Sequence, residues 1–166
     1  MGQVIYKFGD DISTDIIYPG RYMATVLPTE TPQFAFADIK ELNDRMKAKQ
    51  VPPGSVIIGR KNFGCGSSRE QAVSTLRGYD LIVVASNFAR IFLQNSINLG
   101  LQTVTCPEID TNVGDELEVT STEVINKTTG RRFPVIPLPK ARQTIVEAGG
   151  LIAYTRKRVM AGKSSV

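Results

Sequence analysis

Ser55-Val56-Ile57-Ile58, Leu81-Ile82-Val83-Val84-Ala85 and Leu101-Gln102-Thr103-Val104-Thr105 decide the fold. The second stretch is apolar at every position, as a strand buried on both faces of a parallel sheet must be. The first follows the Pro-Pro-Gly turn at 52–54, and its β-branched run suits a strand. Between these stretches the pattern turns helical. Glu70 to Arg77 sets Ala72, Val73 and Leu76 at helical spacing, with Gly78 as the stop. Asn87 stands where it can cap a second helix, with Phe88, Ile91, Phe92 and Asn95 on one face and Gly100 at its end. The order β-α-β-α-β requires a parallel sheet with right-handed crossovers.

Working outward, Met1 to Asp10 runs into a strand. Pro28 to Pro53 opens on the turn Pro28-Thr29-Glu30-Thr31-Pro32-Gln33 and continues as a helix carrying Ala37, Ile39, Leu42 and Met46. Residues 110–136, with turns at Gly114-Asp115 and Lys127-Thr128-Thr129-Gly130, read as hairpin-like β structure. Ala141 to Ala148 reads as a terminal helix stopped by Gly149-Gly150, and Leu151 to Tyr154 as a last strand. No linker, repeat or low-complexity block interrupts the chain. The expected fold is α/β: a single compact domain over residues 1–156, with a βαβαβ parallel core and a flanking β-hairpin.

With 166 residues, 42% of them apolar, the chain can bury a substantial core. Its absences restrict the chemistry more sharply. There is no histidine, no tryptophan, and only two cysteines, Cys65 and Cys106. A Ser-His-Asp or Cys-His triad, a histidine base and a four-cysteine zinc site are therefore excluded on this chain alone. So is a self-contained iron–sulfur cluster, which needs about four thiolates. Catalysis has to run on Asp, Glu, Ser, Arg, Lys, Tyr or a borrowed centre.

The net charge of +4 is local. Arg156, Lys157, Arg158 and Lys163 fall in an acid-free stretch; without them 16 basic residues face 16 acidic ones. Residues 157–166 therefore read as a basic tail on a neutral body, not as a surface that tracks phosphates, and no nucleic-acid partner is expected. Few cysteines and no apolar leader point to a cytoplasmic protein. No run of about 18 apolar residues is present to span a membrane. The sequon at Asn126 is accordingly read as chance.

Two segments are candidates for chemistry. Gly59-Arg60-Lys61-Asn62-Phe63-Gly64-Cys65-Gly66-Ser67-Ser68-Arg69-Glu70 joins a buried strand to a helix. It is not a P-loop, because Cys65-Gly66 stands where Lys-Ser/Thr is required, and it lacks the third glycine of a dinucleotide fingerprint. Glycines such as Gly64 and Gly66 still let the backbone approach an anion, and a helix N-terminus favours one. Ser67 to Glu70 also has the form of a capping box, which by itself would account for Ser67 and Glu70. Arg69 is the exception, since a cation in a first helical turn opposes the macrodipole by roughly 0.3–1 kcal/mol. The loop leaves anion binding and plain capping both open. Cys65 reads as a small residue fitting the turn, with an oxidation-sensitive thiol as the alternative. The second segment, Asp10 to Thr25, gathers three aspartates and Arg21 around Pro19-Gly20, as a functional loop or an ordinary polar turn.

Taken together, KFGDDISTDIIYPGRY (7–22), GRKNFGCGSSREQA (59–72) and SNFARIFLQNSINLGL (86–101) resemble the small subunits of 3-isopropylmalate dehydratases. These are separate-chain counterparts of the swivelling C-terminal domain of aconitases, and the resemblance covers about residues 1–156. It implies a 4Fe-4S cluster on a large-subunit partner, none on this chain, and no metal site here. It implies Ser67 as the base that removes a proton next to a carboxylate, Ser68 and Arg69 as contacts to a substrate carboxylate, and Asp15 as an active-site aspartate. The substrate would be a hydroxy-dicarboxylate, dehydrated and rehydrated with hydroxyl and hydrogen exchanged. The residues after Pro-Gly-Arg in this family meet the substrate's variable group. Here they are Tyr22-Met23-Ala24-Thr25, uncharged and unable to offset burial of an extra carboxylate. The resemblance thus points to 2-isopropylmalate, with the smaller citramalate or 2,3-dimethylmalate next because Ala24 leaves room. From a different class, a non-catalytic anion-binding module would use the same glycine loop.

Overall fold

The apolar runs become strands in the order expected. In the computed structural model, which describes residues 1–163, β1 (Gly2–Lys7) leads to the single helical turn α1 (Thr14–Ile17) and helix α2 (Lys40–Lys47). Next come β2 (Val56–Gly59), α3 (Glu70–Gly78), β3 (Ile82–Ala85), α4 (Arg90–Leu99) and β4 (Gln102–Thr105). β5 (Glu116–Val119), β6 (Glu123–Asn126), β7 (Arg132–Pro134), α5 (Lys140–Glu147) and α6 (Leu151–Lys163) follow. The sheet runs β4-β3-β2-β1-β5-β6-β7, with β1 to β4 parallel and β5 to β7 joined antiparallel.

Alternation along the parallel strands sorts the core into two layers, because successive side chains point to opposite faces. Ile57, Val83 and Ala85 face the helices and pack with Leu42, Met46, Ala72, Val73, Leu76 and Phe92. Val56, Ile58 and Val84 face the other way, against Leu117, Val124 and Phe133 of the antiparallel strands. Each Val, Leu, Ile, Met or Phe among them contributes about 1.5–3 kcal/mol by leaving water. The Ile136 amide donates to the Thr105 carbonyl at 2.8 Å, an isolated bridge that joins the two ends of the sheet. The sheet therefore curls over its own second core, giving helix, parallel and antiparallel layers in turn.

Several local expectations change. Leu151 to Tyr154 is not a strand but the start of α6; a four-residue apolar run suits either state. The expected basic tail at 157–166 lies on this helix through Lys163, and residues 164–166 lie outside the described residues. The helix after Pro32 is shorter than read, with a 3-10 turn at Thr31–Phe34 before α2. The polar stretch before Arg132 contains β6, so the hairpin is a three-stranded meander. Asn87 does not cap α4: the N-cap is Ala89, and the Asn87 carboxamide oxygen accepts from the Asn62 amide at 2.7 Å. Gly78 is inside α3, where a Cβ would come within 2.3 Å of Pro32, and the left-handed residue is Asp80. No helix among the described residues is long and apolar enough to cross a membrane.

Gly100 ends α4 as read, at φ 72°. A Cβ there would lie 2.5 Å from the Gly149 carbonyl carbon, so the glycine serves both the turn and the seating of α6. Gly100→Ala is expected to cost at least about 1–3 kcal/mol. Urea unfolding of the variant at unchanged m-value checks this; a midpoint equal to that of the parent chain would contradict it.

Candidate functional site

The C-terminal ends of β1, β2 and β3 open onto three loops that backbone bonds stitch together. The Thr14 amide donates to Cys65 O at 2.8 Å, Gly64 to Ile12 O at 2.7 Å, and Ala89 to Phe63 O at 2.9 Å. Gly64 sits at φ 82° with its α-carbon against Phe92, where a Cβ would be 2.1 Å from the ring. Its necessity is thus packing against α4. Gly66, at φ 95°, is exposed beside Thr14 and needs glycine for conformation.

Ser67 is not an N-cap. Helix α3 begins at Glu70, its N-cap is Arg69 in extended conformation, and no side chain caps it. Instead, Thr14 Oγ1 donates to the Ser67 carbonyl at 3.1 Å and lies 3.3 Å from Ser67 Oγ. With its own proton on that carbonyl, the Thr14 hydroxyl is left to accept the proton of Ser67. Ser67 and Ser68 are exposed. The amides of Gly66, Ser67, Ser68 and Arg69 find no acceptor among the described residues. Four neighbouring donors beside an exposed hydroxyl make a site for negative charge.

Arg69 also differs from its expected place in the first helical turn. Nη1 pairs with Asp15 Oδ1 and donates to the Tyr18 carbonyl at 3.3 Å. The Arg69 side chain is 14% exposed and Asp15 62% exposed. The Gly20 amide donates to the same Asp15 oxygen at 3.2 Å, and a Cβ on Gly20 would come within 3.2 Å of Arg69 Nη2. Nothing among the described residues accepts from Nε, which is buried, or from Nη2. A guanidinium fixed at one end with donors left at the other is arranged to hold a carboxylate. The hydrogen bond from Arg69, helped by its charge and by the Gly20 amide, holds the Asp15 carboxyl below its ordinary pKa.

The segment Tyr22-Met23-Ala24-Thr25 hangs from Tyr18. That ring is fully buried, and its Oη lies 3.1 Å from Tyr22 O and 3.3 Å from Thr25 O. Burial raises the pKa of the phenol, so it remains a donor. Tyr22 stacks on Phe34 at 4.1 Å, and Arg21 lies 4.7 Å above Tyr22 while pairing with Asp38. Gln71 Nε2 reaches Met23 O at 3.4 Å, tying the segment to the first turn of α3. Met23 and Ala24 are exposed, next to exposed Val26 and Leu27. The structure thus gathers Asp15, Ser67, Ser68 and Arg69, with residues 22–25 alongside. Thr14, Tyr18, Gly20 and Asn95, whose amide donates to Ser68 O at 3.3 Å, were not singled out by the sequence. The first three stood inside the quoted aspartate segment, but only folding sets them against residues about 50 positions away.

The aconitase C-terminal domain model matches residues 11–109. The chain belongs to the aconitase C-terminal domain family. Its relatives include the 3-isopropylmalate dehydratase small subunit of Methanosarcina mazei, 44% identical over 93% of this chain and 95% of that one. The isopropylmalate/citramalate isomerase small subunit of Methanocaldococcus jannaschii is 43% identical over 93% of each. A crystal structure of 3-isopropylmalate dehydratase (leuD) from the latter organism superposes with a TM-score of 0.88 at 35% identity, covering 99% of this chain and 98% of that one. Within the family, the chain falls with the small subunits, and the α/β fold is theirs.

The donor set here does not fit an iron–sulfur cluster. Two thiols are too few. Cys106 donates to Pro134 O at 3.4 Å inside the second core, and burial pushes its pKa up to about 11, away from the thiolate a cluster needs.

The Asp15 shift sets a pH dependence. Because its folded-state pKa is depressed, the pairing stabilises the fold above the ordinary value of 3.8, and this is lost as pH falls through the lower folded value. NMR titration of the Asp15 carboxyl should give a midpoint below 3.8, and Arg69→Gln should move it back toward that value. A midpoint at or above that value would refute the pairing in solution.

Proposed function

We propose that this chain is the small subunit of a heteromeric hydro-lyase that interconverts 2-isopropylmalate and 3-isopropylmalate by dehydration and rehydration, as in leucine biosynthesis. The reading rests on one juxtaposition: the exposed Ser67 hydroxyl beside the Asp15-anchored guanidinium of Arg69, on a loop with four amides that have no acceptor among the described residues. The large subunit would carry a 4Fe-4S cluster that supplies Lewis-acid binding of the substrate hydroxyl and a carboxylate.

This chain's residues supply the rest. Arg69, through Nη2, and the Ser68 hydroxyl hold the carboxylate next to the carbon that loses its proton. Ser67, as alkoxide, takes that proton and returns it when the double bond is rehydrated, so the base is regenerated. The loop amides and the Arg69 charge lower the serine's pKa by stabilising the alkoxide, and exclusion of water strengthens both effects. Asp15 fixes the guanidinium. Tyr18 holds Tyr22 to Thr25 where the substrate's branched group arrives, and that segment's apolar surface favours an alkyl group over a further carboxylate. The cytoplasm is the assigned compartment, in keeping with an unpaired Cys65 and Cys106.

A second reading, turnover of citramalate or 2,3-dimethylmalate, is favoured by the room at Ala24 and by a relative named for citramalate as well as isopropylmalate. Comparing these substrates with isopropylmalate on the reconstituted pair decides between them.

Two outcomes test the site. With a cluster-loaded large subunit, Ser67→Ala should lose about 10²–10⁴ in kcat with KM changed little; turnover near that of the parent chain would remove Ser67 as the base. Met23→Arg should weaken kcat/KM for isopropylmalate by roughly tenfold while improving it for homoaconitate, which brings an extra carboxylate. An unchanged ratio would detach this loop from substrate choice.

A further inference from the structure

Thr14 stands out of water beside a serine that does not: it is 2% exposed, while Ser67 is exposed. Main-chain bonds hold Thr14 at both ends. Its amide donates to Cys65 O at 2.8 Å, and its carbonyl accepts from Tyr18 N at 2.8 Å. A β-branched side chain on a backbone so held has little rotamer freedom, so the place of Oγ1 is set in advance. From there Oγ1 reaches two oxygens of one residue, Ser67 O at 3.1 Å and Ser67 Oγ at 3.3 Å. A hydroxyl has a single proton, which turns about the Cβ–Oγ1 bond, so Thr14 donates to one of the two at a time.

Which oxygen receives that proton depends on the state of Ser67. While Ser67 carries its own hydroxyl proton, it donates to Thr14 Oγ1, and Thr14 donates to the carbonyl. As an alkoxide Ser67 has no proton to give, and its oxygen becomes the stronger of the two acceptors. Rotation then brings the Thr14 proton onto Oγ without moving a heavy atom. A plain tether would need only the carbonyl contact. Asn95 makes such a tether one residue further on, donating to Ser68 O at 3.3 Å, with no hydroxyl of the loop among its hydrogen-bond partners.

We infer that Thr14 is a positioning residue for the base, giving its proton to the Ser67 oxygen when that oxygen is charged and to the Ser67 carbonyl when it is not. This rests on the function proposed above, in which Ser67 takes and gives back the substrate's proton. Thr14 neither gains nor loses a proton in that cycle. The proton on carbon passes to Ser67 Oγ and back, and Thr14 changes only its direction of donation. Because Thr14 is buried in this chain's own body, its donation is little screened by water and is in place before a partner closes over the loop.

A thiol in place of the serine tests this on the full chain alone. In Ser67→Cys, NMR of isotope-labelled cysteine Cβ follows the new thiol apart from Cys65 and Cys106. Adding Thr14→Val, which keeps the shape and removes the donor, should raise that thiol's midpoint by about one pH unit. Adding Asn95→Leu, which removes only a tether, should leave it in place. The second readout uses the chain reconstituted with a cluster-loaded large subunit. There Thr14→Val should lower kcat about 10–100-fold with KM changed less than about twofold, and Thr14→Ser should restore it to within about threefold. Circular dichroism on each variant secures that it is folded. A midpoint that Thr14→Val leaves unmoved, or that Asn95→Leu moves as far, overturns the Thr14 inference, as does a Thr14→Val kcat near that of the parent. With Ser67→Ala still inactive, the proposed function stands in each of those cases. Full turnover in Ser67→Ala removes both readings at once.

Discussion

The pairing of Asp15 with Arg69 joins two loops from different strands, and much of the site's form follows from it. Paired with Asp15 of α1, Arg69 takes an extended backbone and α3 starts at Glu70, two residues later than a Ser67 cap would place it. The preceding amides are then left without acceptors among the described residues, and Gly20 must pass close over the guanidinium. Energetically the pair is not a large contributor. Asp15 is mostly in water, and exposed ion pairs are worth about 0–1 kcal/mol. The asymmetry lies with Arg69, whose side chain is largely covered: without the carboxylate it would be a buried cation missing its partner. The interaction therefore fixes geometry more than it adds stability.

The same pairing explains where the sequence was legible and where it was not. Val56 to Ile58 and Ile82 to Ala85 have no choice but to be strands, because both faces are covered; their neighbours fit helices by period alone. The parallel core, a helix over Glu70 to Arg77 and the helix end at Gly100 could thus be read directly, whereas the stop placed at Gly78 could not. Ser67 to Glu70 misled because a capping box is a local pattern. The Thr14 hydroxyl, 53 positions away, takes up Ser67 instead, and Asp15 removes Arg69 from the helix. Tertiary contacts of that kind carry no local signature. Leu151 to Tyr154 is ambiguous for the opposite reason, having too little periodicity to separate strand from helix. Nor can composition announce that Ile136 will close the sheet onto Thr105. The gathering of Asp15, Ser67 and Arg69 was legible only through resemblance to a family; spacing left both loops open to bland readings.

Relief from capping matters for the chemistry assigned to Ser67. A serine that caps a helix spends its oxygen on backbone amides and is a poor acceptor for a substrate proton. Among the described residues the side chain is within hydrogen-bond reach of Thr14 Oγ1 only, and the nearby amides have no acceptor. Those amides could stabilise the alkoxide without first releasing a cap. This chain has no histidine to take the serine proton, so on the proposed reading what it can itself offer the alkoxide is fixed dipoles and the Arg69 charge.

Exposure sets the remaining condition. In water a charge–dipole interaction is weakened by the solvent's dielectric, and a hydroxyl with an ordinary pKa stays protonated. Ser67 and Ser68 stand in solvent in this chain, while Met23, Val26 and Leu27 line the neighbouring loop with uncovered apolar surface. A surface that covered the apolar loop would also remove water from the serine, so that burial and activation happen in one event. On the proposed reading, the large subunit is that surface. The small subunit would then be inactive alone for a physical reason beyond its missing cluster: its base acquires basicity only when the lid over it is another protein.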